Sequence, residues 1–190
     1  EGGPRDLEVL DLADSQGFMG YYIPLLSMIS VDTRPAWARE PGMLEQILLH
    51  EIAHRFIIHQ YPAASKECWL NEGLAGCLEM SRFDGSGFEH LLLNPTLLGI
   101  ARRVALLDPA SIRLEELLEK SWTGFHRSEE RELNYALSWA AVHFILQEVL
   151  PSEMSLTARI HALYSMDRGD IAGLGPRFVE HLRRFDLTGT

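Results

Sequence analysis

Hydrophobic and polar positions divide the chain into a short part typical of strands and a long part typical of helices. Residues 18–32 are mostly aromatic, β-branched or apolar, with turn formers at Gly20 and Pro24, which predicts one or two short strands and a hairpin. Residues 43–61 contain neither glycine nor proline, so a helix is predicted there, closed by Pro62. Apolar residues fall on nearly every side of this helix, which predicts that it lies inside the protein.

The rest of the chain has mainly helical patterns. A second helix is predicted over 71–82, in which Gly73 and Gly76 would let another backbone approach closely. A loop over 83–87 follows, and the helices predicted after it span 88–93, 96–106, 113–120, 133–150, 155–166 and 176–185.

These elements predict a single domain over residues 1–190, because a chain of this length builds one substantial hydrophobic core and is too short for two. The predicted fold class is α+β and mostly α. A strand-bearing lobe is expected over 1–84 and a helical lobe over 85–190, with a cleft between them, where ligand sites commonly form.

Composition and charge exclude two classes of partner. Hydrophobic residues make up 46% of the chain, which is typical of folded proteins. The 27 acidic and 17 basic residues give a net charge of −10, so the phosphate backbone of a nucleic acid would repel the chain. No apolar run approaches the roughly 18–20 residues that a membrane-spanning helix needs, so no membrane insertion by this segment is expected.

The two cysteines, Cys68 and Cys77, are too few for a disulfide framework. Buried free thiols are the prediction, and a bridge between them, which would indicate export, is the alternative. The chain starts at Glu1 without a signal peptide, so a targeting segment would lie outside it. The compartment is therefore left open, a secreted or periplasmic location included, and so is the oligomeric state.

A metal-binding pattern lies in the middle of the first predicted helix. His50 and His54 are four positions apart, about one helical turn, so both imidazoles can reach one metal ion. Two histidines and one further protein ligand, with a fourth position left for water, define a catalytic zinc site. Glu51 lies beside His50 and is positioned to act as a general base on that water. Without partners, these three side chains would be costly to bury in a helix that is otherwise apolar.

The third ligand is predicted at Glu72, which seventeen residues separate from His54, in the sequence Trp-Leu-Asn-Glu-Gly-Leu-Ala. The two motifs together resemble the gluzincin zinc metallopeptidases, the superfamily of thermolysin and aminopeptidase N, and especially bacterial peptidase-MA-like domains of unassigned substrate. The resemblance covers roughly residues 17–150 and implies a zincin-like fold. It also implies that His50, His54 and Glu72 hold Zn²⁺ and that Glu51 is the base.

The same resemblance extends to Tyr135, sixty-three positions after Glu72, in the pattern Tyr-Ala-Leu-Ser-Trp. Related enzymes keep a tyrosine at a similar distance along the chain. The phenol O–H of that tyrosine stabilises the negative charge that develops on the carbonyl oxygen of the peptide bond being cleaved. Packing of Tyr135 against Trp139 is the structural alternative. His126, in a predicted loop, is a second possible donor. The resemblance also implies an edge strand within residues 21–31 that pairs with the substrate backbone.

Three departures from the family narrow the expected activity. The segment around Met19 lacks the carboxylate with which aminopeptidases capture a free amine, so aminopeptidase activity is not expected. The spacing from His54 to Glu72 is one residue shorter than in those enzymes. Gly76 stands where thermolysin-like proteins place an aspartate against a ligand histidine, so the sequence names no group that orients the two imidazoles.

The sequence therefore predicts a zinc-dependent hydrolase of peptide bonds, an endopeptidase, whose partner is a peptide or protein substrate. A different class of function stays open: a non-catalytic module that keeps its zinc for stability and binds a peptide or a protein. A third possibility is that the chain is one domain of a larger surface or secreted protein. Glu51 favours the hydrolase, because a purely structural zinc site needs no buried carboxylate beside the metal.

Overall fold

A computed structural model describes residues 20–23, 28–31, 42–62, 67–83 and 85–185. Its first two elements are the short strands β1 (Gly20–Ile23) and β2 (Met28–Val31). They pair antiparallel, with Gly20 opposite Val31 and Ile23 opposite Met28. The predicted pair of strands is thus confirmed, while the residues that connect them, including Pro24, lie outside the described part of the chain.

Helices form most of the remaining described structure, which confirms the α+β, mostly α prediction. A second small antiparallel sheet consists of β3 (Arg82–Phe83) and β4 (Phe88–Glu89). The helices are α1 (Met43–Gln60), α2 (Cys68–Leu78), α3 (Pro95–Leu107), α4 (Leu114–Glu119), α5 (Trp122–His126), α6 (Arg131–Phe144), α7 (Leu156–Ser165), α8 (Arg168–Ala172) and α9 (Gly175–Arg184).

Several helices begin where a polar side chain satisfies the free backbone N–H groups of the first turn. Asn94 precedes α3, and its Oδ1 accepts a hydrogen bond from the Leu97 N–H at 3.0 Å. Ser121 and Ser155 cap α5 and α7 in the same way. Neither α5 nor α8 was predicted from periodicity, because a helix of five residues is too short to show one.

The predicted helix over 88–93 is wrong. Residues Phe88–Glu89 form β4 instead, and Leu91 has a φ of 58°, the left-handed region that a right-handed helix cannot include. Tertiary contacts hold this turn: the Leu91 side chain is buried, and its carbonyl oxygen accepts a hydrogen bond from His143 Nε2 at 3.2 Å. The predicted helix over 71–82 is shifted, since α2 begins at Cys68 and ends at Leu78.

The centre of the hydrophobic core is the packing of α2 against α6. Leu74, Ala75 and Cys77 on α2 are fully buried, as is Val142 on α6. Gly73 makes the approach possible, because a Cβ there would lie 2.5 Å from the backbone oxygen of Ser138. The two helices therefore meet backbone to backbone at this point. The prediction of a close backbone approach is confirmed at Gly73, whereas the neighbour of Gly76 is a side chain, that of Trp139.

The prediction that α1 is buried on all sides is wrong for one face. Its inner face packs on α2 and β1 and includes Ile47, Ala53 and Ile57. The opposite face carries four apolar side chains that are between 37% and 50% exposed: Leu44, Leu48, Ile52 and Phe56. The apolar composition of this helix therefore did not predict that one of its faces is exposed.

Two further expectations have an outcome in the fold. Cys68 and Cys77 are both buried and both free, which confirms the prediction of free thiols. Among the described residues, no helix combines the length and the apolar character that crossing a membrane requires. The division into lobes at residue 84 stays a prediction, and one hydrophobic core cluster includes residues from both sides of that position.

We predict that Gly73→Ala lowers the free energy of unfolding by about 1–3 kcal/mol, because the added methyl group forces α2 away from α6. Gly99→Ala is the matched control: it lies within α3, and a Cβ there has no atom of the described structure within 4 Å. The control is expected to gain about 0.5–1 kcal/mol from helix propensity. Urea denaturation followed by circular dichroism measures both, and equal midpoints would contradict the close approach.

Candidate metal centre

Two neighbouring helices bring three potential ligand side chains together. His50 and His54 lie one turn apart on α1, and Glu72 lies in the second turn of α2. The Nε2 atoms of the two histidines are 3.0 Å apart. Glu72 Oε2 lies 3.4 Å from the first of these nitrogens and 3.5 Å from the second. The three residues predicted as metal ligands are therefore brought to one point.

Hydrogen bonds on the far side of each imidazole determine what faces this point. Glu79 Oε2 lies 2.7 Å from His50 Nδ1, and a carboxylate can only accept, so Nδ1 donates. His54 Nδ1 likewise donates to Asn71 Oδ1 at 3.0 Å. In the neutral form, both Nε2 atoms then carry a lone pair and no proton. Two nitrogen lone pairs and a carboxylate oxygen therefore face each other.

This convergence requires a positive charge, because three electron-rich atoms repel one another at these distances. Glu72 Oε2 is buried and has no hydrogen-bond partner among the described residues. In a tetrahedral zinc site, ligand atoms about 2.0–2.1 Å from the metal lie roughly 3.3 Å from each other. The three observed separations of 3.0, 3.4 and 3.5 Å are close to that value. The three side chains could therefore hold one metal ion together.

Electrostatic shifts follow from the same geometry. Burial by itself lowers the pKa of His50, but the contacts with Glu72 and Glu79 outweigh it and raise the pKa to about 10. Burial would raise the pKa of Glu72, yet His54 and His50 hold it well below its usual range. Without a metal, the cluster therefore keeps a proton, which supplies the positive charge that the converging atoms need.

Glu51 lies beside this cluster, beneath the first strand. It is buried, and a Cβ at Gly20 of β1 would come within 3.3 Å of its Oε1 atom. Burial raises the pKa of Glu51, while His50 and His54 and a backbone hydrogen bond with Tyr22 lower it in part. Its Oε2 atom has no hydrogen-bond partner within the described ranges. The carboxylate is thus close to the two histidines and has one oxygen left for a ligand or a water.

Tyr135 and His126 form a connected pair on the other side of Glu72. The ring of His126 places Nδ1 3.1 Å from the Tyr135 hydroxyl and Nε2 3.6 Å from Glu72 Oε1. His126 is buried at the end of α5 rather than in the predicted loop. The structure therefore brings both residues beside the candidate ligands. Tyr135 contacts Phe125 and His126 with its ring.

Sequence reasoning missed the residues that orient the two imidazoles. Asn71 precedes Glu72 on α2, and Glu79 follows it by seven positions, two helical turns, so it lies on the same side of the helix. That spacing was the available signal for Glu79. Asn94 adds a further contact, since its Nδ2 donates to Glu79 Oε1 at 2.8 Å. Glu79 thus performs for His50 the orienting role that Gly76 cannot.

Comparison with protein-family models, with curated protein sequences and with solved structures finds no match to this chain. No relative therefore suggests a function for this chain, and a functional conclusion has to come from the chemistry of the residues in the cluster.

We predict that Glu79→Gln weakens zinc binding about 10–100-fold, because the ligand histidine loses the charged acceptor that orients its ring. Glu89→Gln is the matched control, since Glu89 is exposed and lies on β4. Competition with a chromogenic chelator measures the affinity of both variants. Unchanged affinity in Glu79→Gln would show that the hydrogen bond does not support the site.

A second prediction concerns the metal-free protein and pH. The pKa of His50 is about 10 in the folded chain, against an ordinary value of 6.5. The raised value means that its stabilising contribution is fully present below pH 6.5 and is lost as pH rises through about 10. In a chelator, urea midpoints should therefore fall across this range, with a smaller fall in His50→Gln. The same slope in both proteins would contradict the assignment.

Proposed function

We propose that this chain is a zinc-dependent hydrolase of peptide bonds, of the gluzincin type, that cleaves within polypeptides. One observation carries the proposal: two histidine Nε2 atoms and a Glu72 oxygen converge beside the buried carboxylate of Glu51. The two nitrogens and the Glu72 oxygen favour a bound cation. The Glu51 carboxylate favours a catalytic site over a structural one, because burying an additional carboxylate beside a metal gives a structural site no benefit.

The donor set favours a transition metal over calcium and magnesium, and the resemblance to the gluzincin enzymes selects zinc. Two imidazoles and one carboxylate are the ligands of several catalytic zinc enzymes, and they leave one position open. Imidazole suits zinc, copper, iron and nickel, whereas calcium and magnesium prefer oxygen ligands. Bound between His50, His54 and Glu72, zinc would supply a Lewis acid that lowers the pKa of a water and polarises a carbonyl group.

Glu51 is the proposed general base. Burial raises its pKa above the ordinary value, which makes the carboxylate a better proton acceptor near neutral pH. Its Oε2 atom has no partner within the described structure and can take the proton of an attacking water. The same oxygen can then deliver that proton to the amine that leaves. Strand β1, which lies over Glu51, is the proposed edge for pairing with the substrate backbone.

Tyr135 is the proposed donor to the carbonyl oxygen of the substrate. His126 Nε2 faces an acceptor, Glu72 Oε1, so its proton belongs on that nitrogen and Nδ1 accepts from the tyrosine. A phenol hydrogen turns about the C–O bond, so the Tyr135 O–H can be redirected from His126 to a substrate oxygen. In this arrangement His126 positions Tyr135 and does not replace it.

We predict that Glu51→Gln removes hydrolysis of an unstructured protein substrate while one zinc ion per chain is still bound. Loss of general-base catalysis is expected to lower the rate by about 10²–10⁴-fold. Glu116→Gln is the control, because Glu116 is an exposed residue of α4. Zinc is measured by mass spectrometry of the metal content, and cleavage by the release of new amino groups.

Tyr135→Phe adds a second arm to this experiment. It is expected to reduce kcat about 10²-fold with KM little changed, because the hydrogen bond forms mainly in the transition state.

If wild type and Glu51→Gln bind zinc equally and neither cleaves any of a broad panel of peptides, the hydrolase proposal is wrong. That result would favour the alternative, a non-catalytic zinc-bound module that binds a peptide or a protein.

A further inference from the structure

Trp122 is an unusually exposed aromatic side chain next to the candidate centre. It is 53% exposed, whereas tryptophan is usually largely buried. Its ring lies against His126, one turn along α5, with the ring centroids 4.6 Å apart. His126 in turn lies 3.6 Å from Glu72 and 3.1 Å from the Tyr135 hydroxyl. A single buried imidazole therefore separates the exposed indole from the metal ligands and the proposed oxyanion donor.

One arginine adjoins this indole, and a second begins the helix that carries Tyr135. The Arg127 guanidinium carbon lies 5.8 Å from the centre of the Trp122 ring. Arg131 is the first residue of α6, one turn before Tyr135 on the same helix. Burial is the main influence on the pKa of both His126 and Tyr135; Glu72 raises both pKa values, and the charge of Arg131 lowers both by a smaller amount. Arg131 therefore lies within electrostatic range of Tyr135 and of His126, the residue that Trp122 contacts.

Ion pairs hold only some of the basic groups in the described part of the chain. Ion pairs join Arg113 to Glu116, Lys120 to Glu130, Arg168 to Glu67 and Arg184 to Glu180. Within the described part of the chain, neither Arg127 nor Arg131 forms an ion pair with a carboxylate. The chain as a whole has a net charge of −10. Both guanidinium groups lack a carboxylate partner in the described structure, as several other arginines do, and the exposed Glu129 and Glu132 lie on the same stretch of chain.

This combination points to a ligand with a negative charge. Arginine binds carboxylates through parallel N–H groups, and an exposed indole provides a flat apolar surface for the adjoining part of a ligand. The candidate centre itself contains the carboxylates of Glu51, Glu72 and Glu79. An acidic peptide would be repelled there unless a cation offsets this charge; the candidates are Arg127, directly after His126, and Arg131, one helical turn before Tyr135.

We propose that Trp122, Arg127 and Arg131 form a specificity surface that selects peptides with a carboxylate near the scissile bond. The carboxylate comes from an acidic side chain or from the C-terminus of the substrate. The inference rests on the proposed function, since it names the substrate class of that same site. Trp122 contacts the peptide chain of the substrate, and the two arginines bind the substrate carboxylate.

The test measures binding separately from cleavage. Zinc-loaded Glu51→Gln protein is titrated with three short peptides, and binding is followed by isothermal calorimetry. The first peptide is blocked at both ends and carries one glutamate. The second has glutamine in its place, and the third is the glutamine peptide with a free C-terminus. The glutamate peptide, the free C-terminus peptide, or both should bind about five-fold or more tightly than the blocked glutamine peptide.

Variants then assign this preference to the surface. Adding Arg127→Gln and Arg131→Gln to the same protein should abolish the preference and leave binding of the glutamine peptide within about two-fold. The control adds Arg177→Gln and Arg103→Gln, which remove the same charge at exposed positions of α9 and α3. Arg177 lies over a phenylalanine ring at 5.9 Å, as Arg127 lies over Trp122. Trp122→Ala should weaken all three peptides, and Trp122→Phe should recover most of that loss.

The outcomes keep the two proposals apart. Equal binding of all three peptides, or a preference that survives the double arginine variant, overturns the specificity surface even if the wild-type protein cleaves peptides. The absence of any measurable peptide binding overturns it as well. A preference that disappears in the arginine variant supports the surface, and if the wild type then cleaves none of the peptides, only the hydrolase proposal fails.

Discussion

Three electron-rich atoms that meet at one point are the constraint on which the candidate site depends. His50 Nε2, His54 Nε2 and Glu72 Oε2 lie within 3.5 Å of one another and cannot stay so without a positive charge among them. In the free chain that charge is a proton, and a divalent cation would replace it. The distance between α1 and α2 sets how closely the atoms converge. Because Gly73, the residue directly after Glu72, packs α2 against the backbone of α6, this packing fixes the position of Glu72.

A second layer of contacts makes the site rigid. Glu79 and Asn71 each accept a hydrogen bond from one imidazole, which determines the tautomer and the direction of the ring. Asn94 bonds to Glu79 with its amide nitrogen and caps α3 with its amide oxygen. The start of α3 is thereby linked to a candidate metal ligand on α1. On the opposite side, His126 connects Glu72 to Tyr135. Both imidazoles are therefore oriented from α2 and the residue that caps it, whereas Glu72 is contacted from α5.

Charged groups of both signs lie within one small region of the described structure. The carboxylates of Glu51, Glu72 and Glu79 suit a cation and the transfer of protons, but they would repel an acidic ligand. Arg127 and Arg131 lie on the side of His126 and Tyr135, where they do not pair with an acidic residue of the described structure. Under the proposed function, the carboxylates would serve the metal and the proton transfer, and the two arginines would bind a carboxylate of the substrate.

Local sequence patterns were sufficient to predict some elements and site residues of this protein and insufficient to predict the others. The spacing of His50 and His54 follows from the helical repeat, and the absence of glycine and proline over 43–61 was enough to predict α1, so both could be found in the sequence. The Leu91 turn and the open face of α1 could not, because both are decided by what distant parts of the chain do or do not pack against them, and α5 is too short to show a period. The orienting role of Glu79 and the approach of His126 are likewise decided by how α2, α5 and α6 pack. Periodicity is a property of neighbours in sequence, whereas a site is defined by neighbours in space.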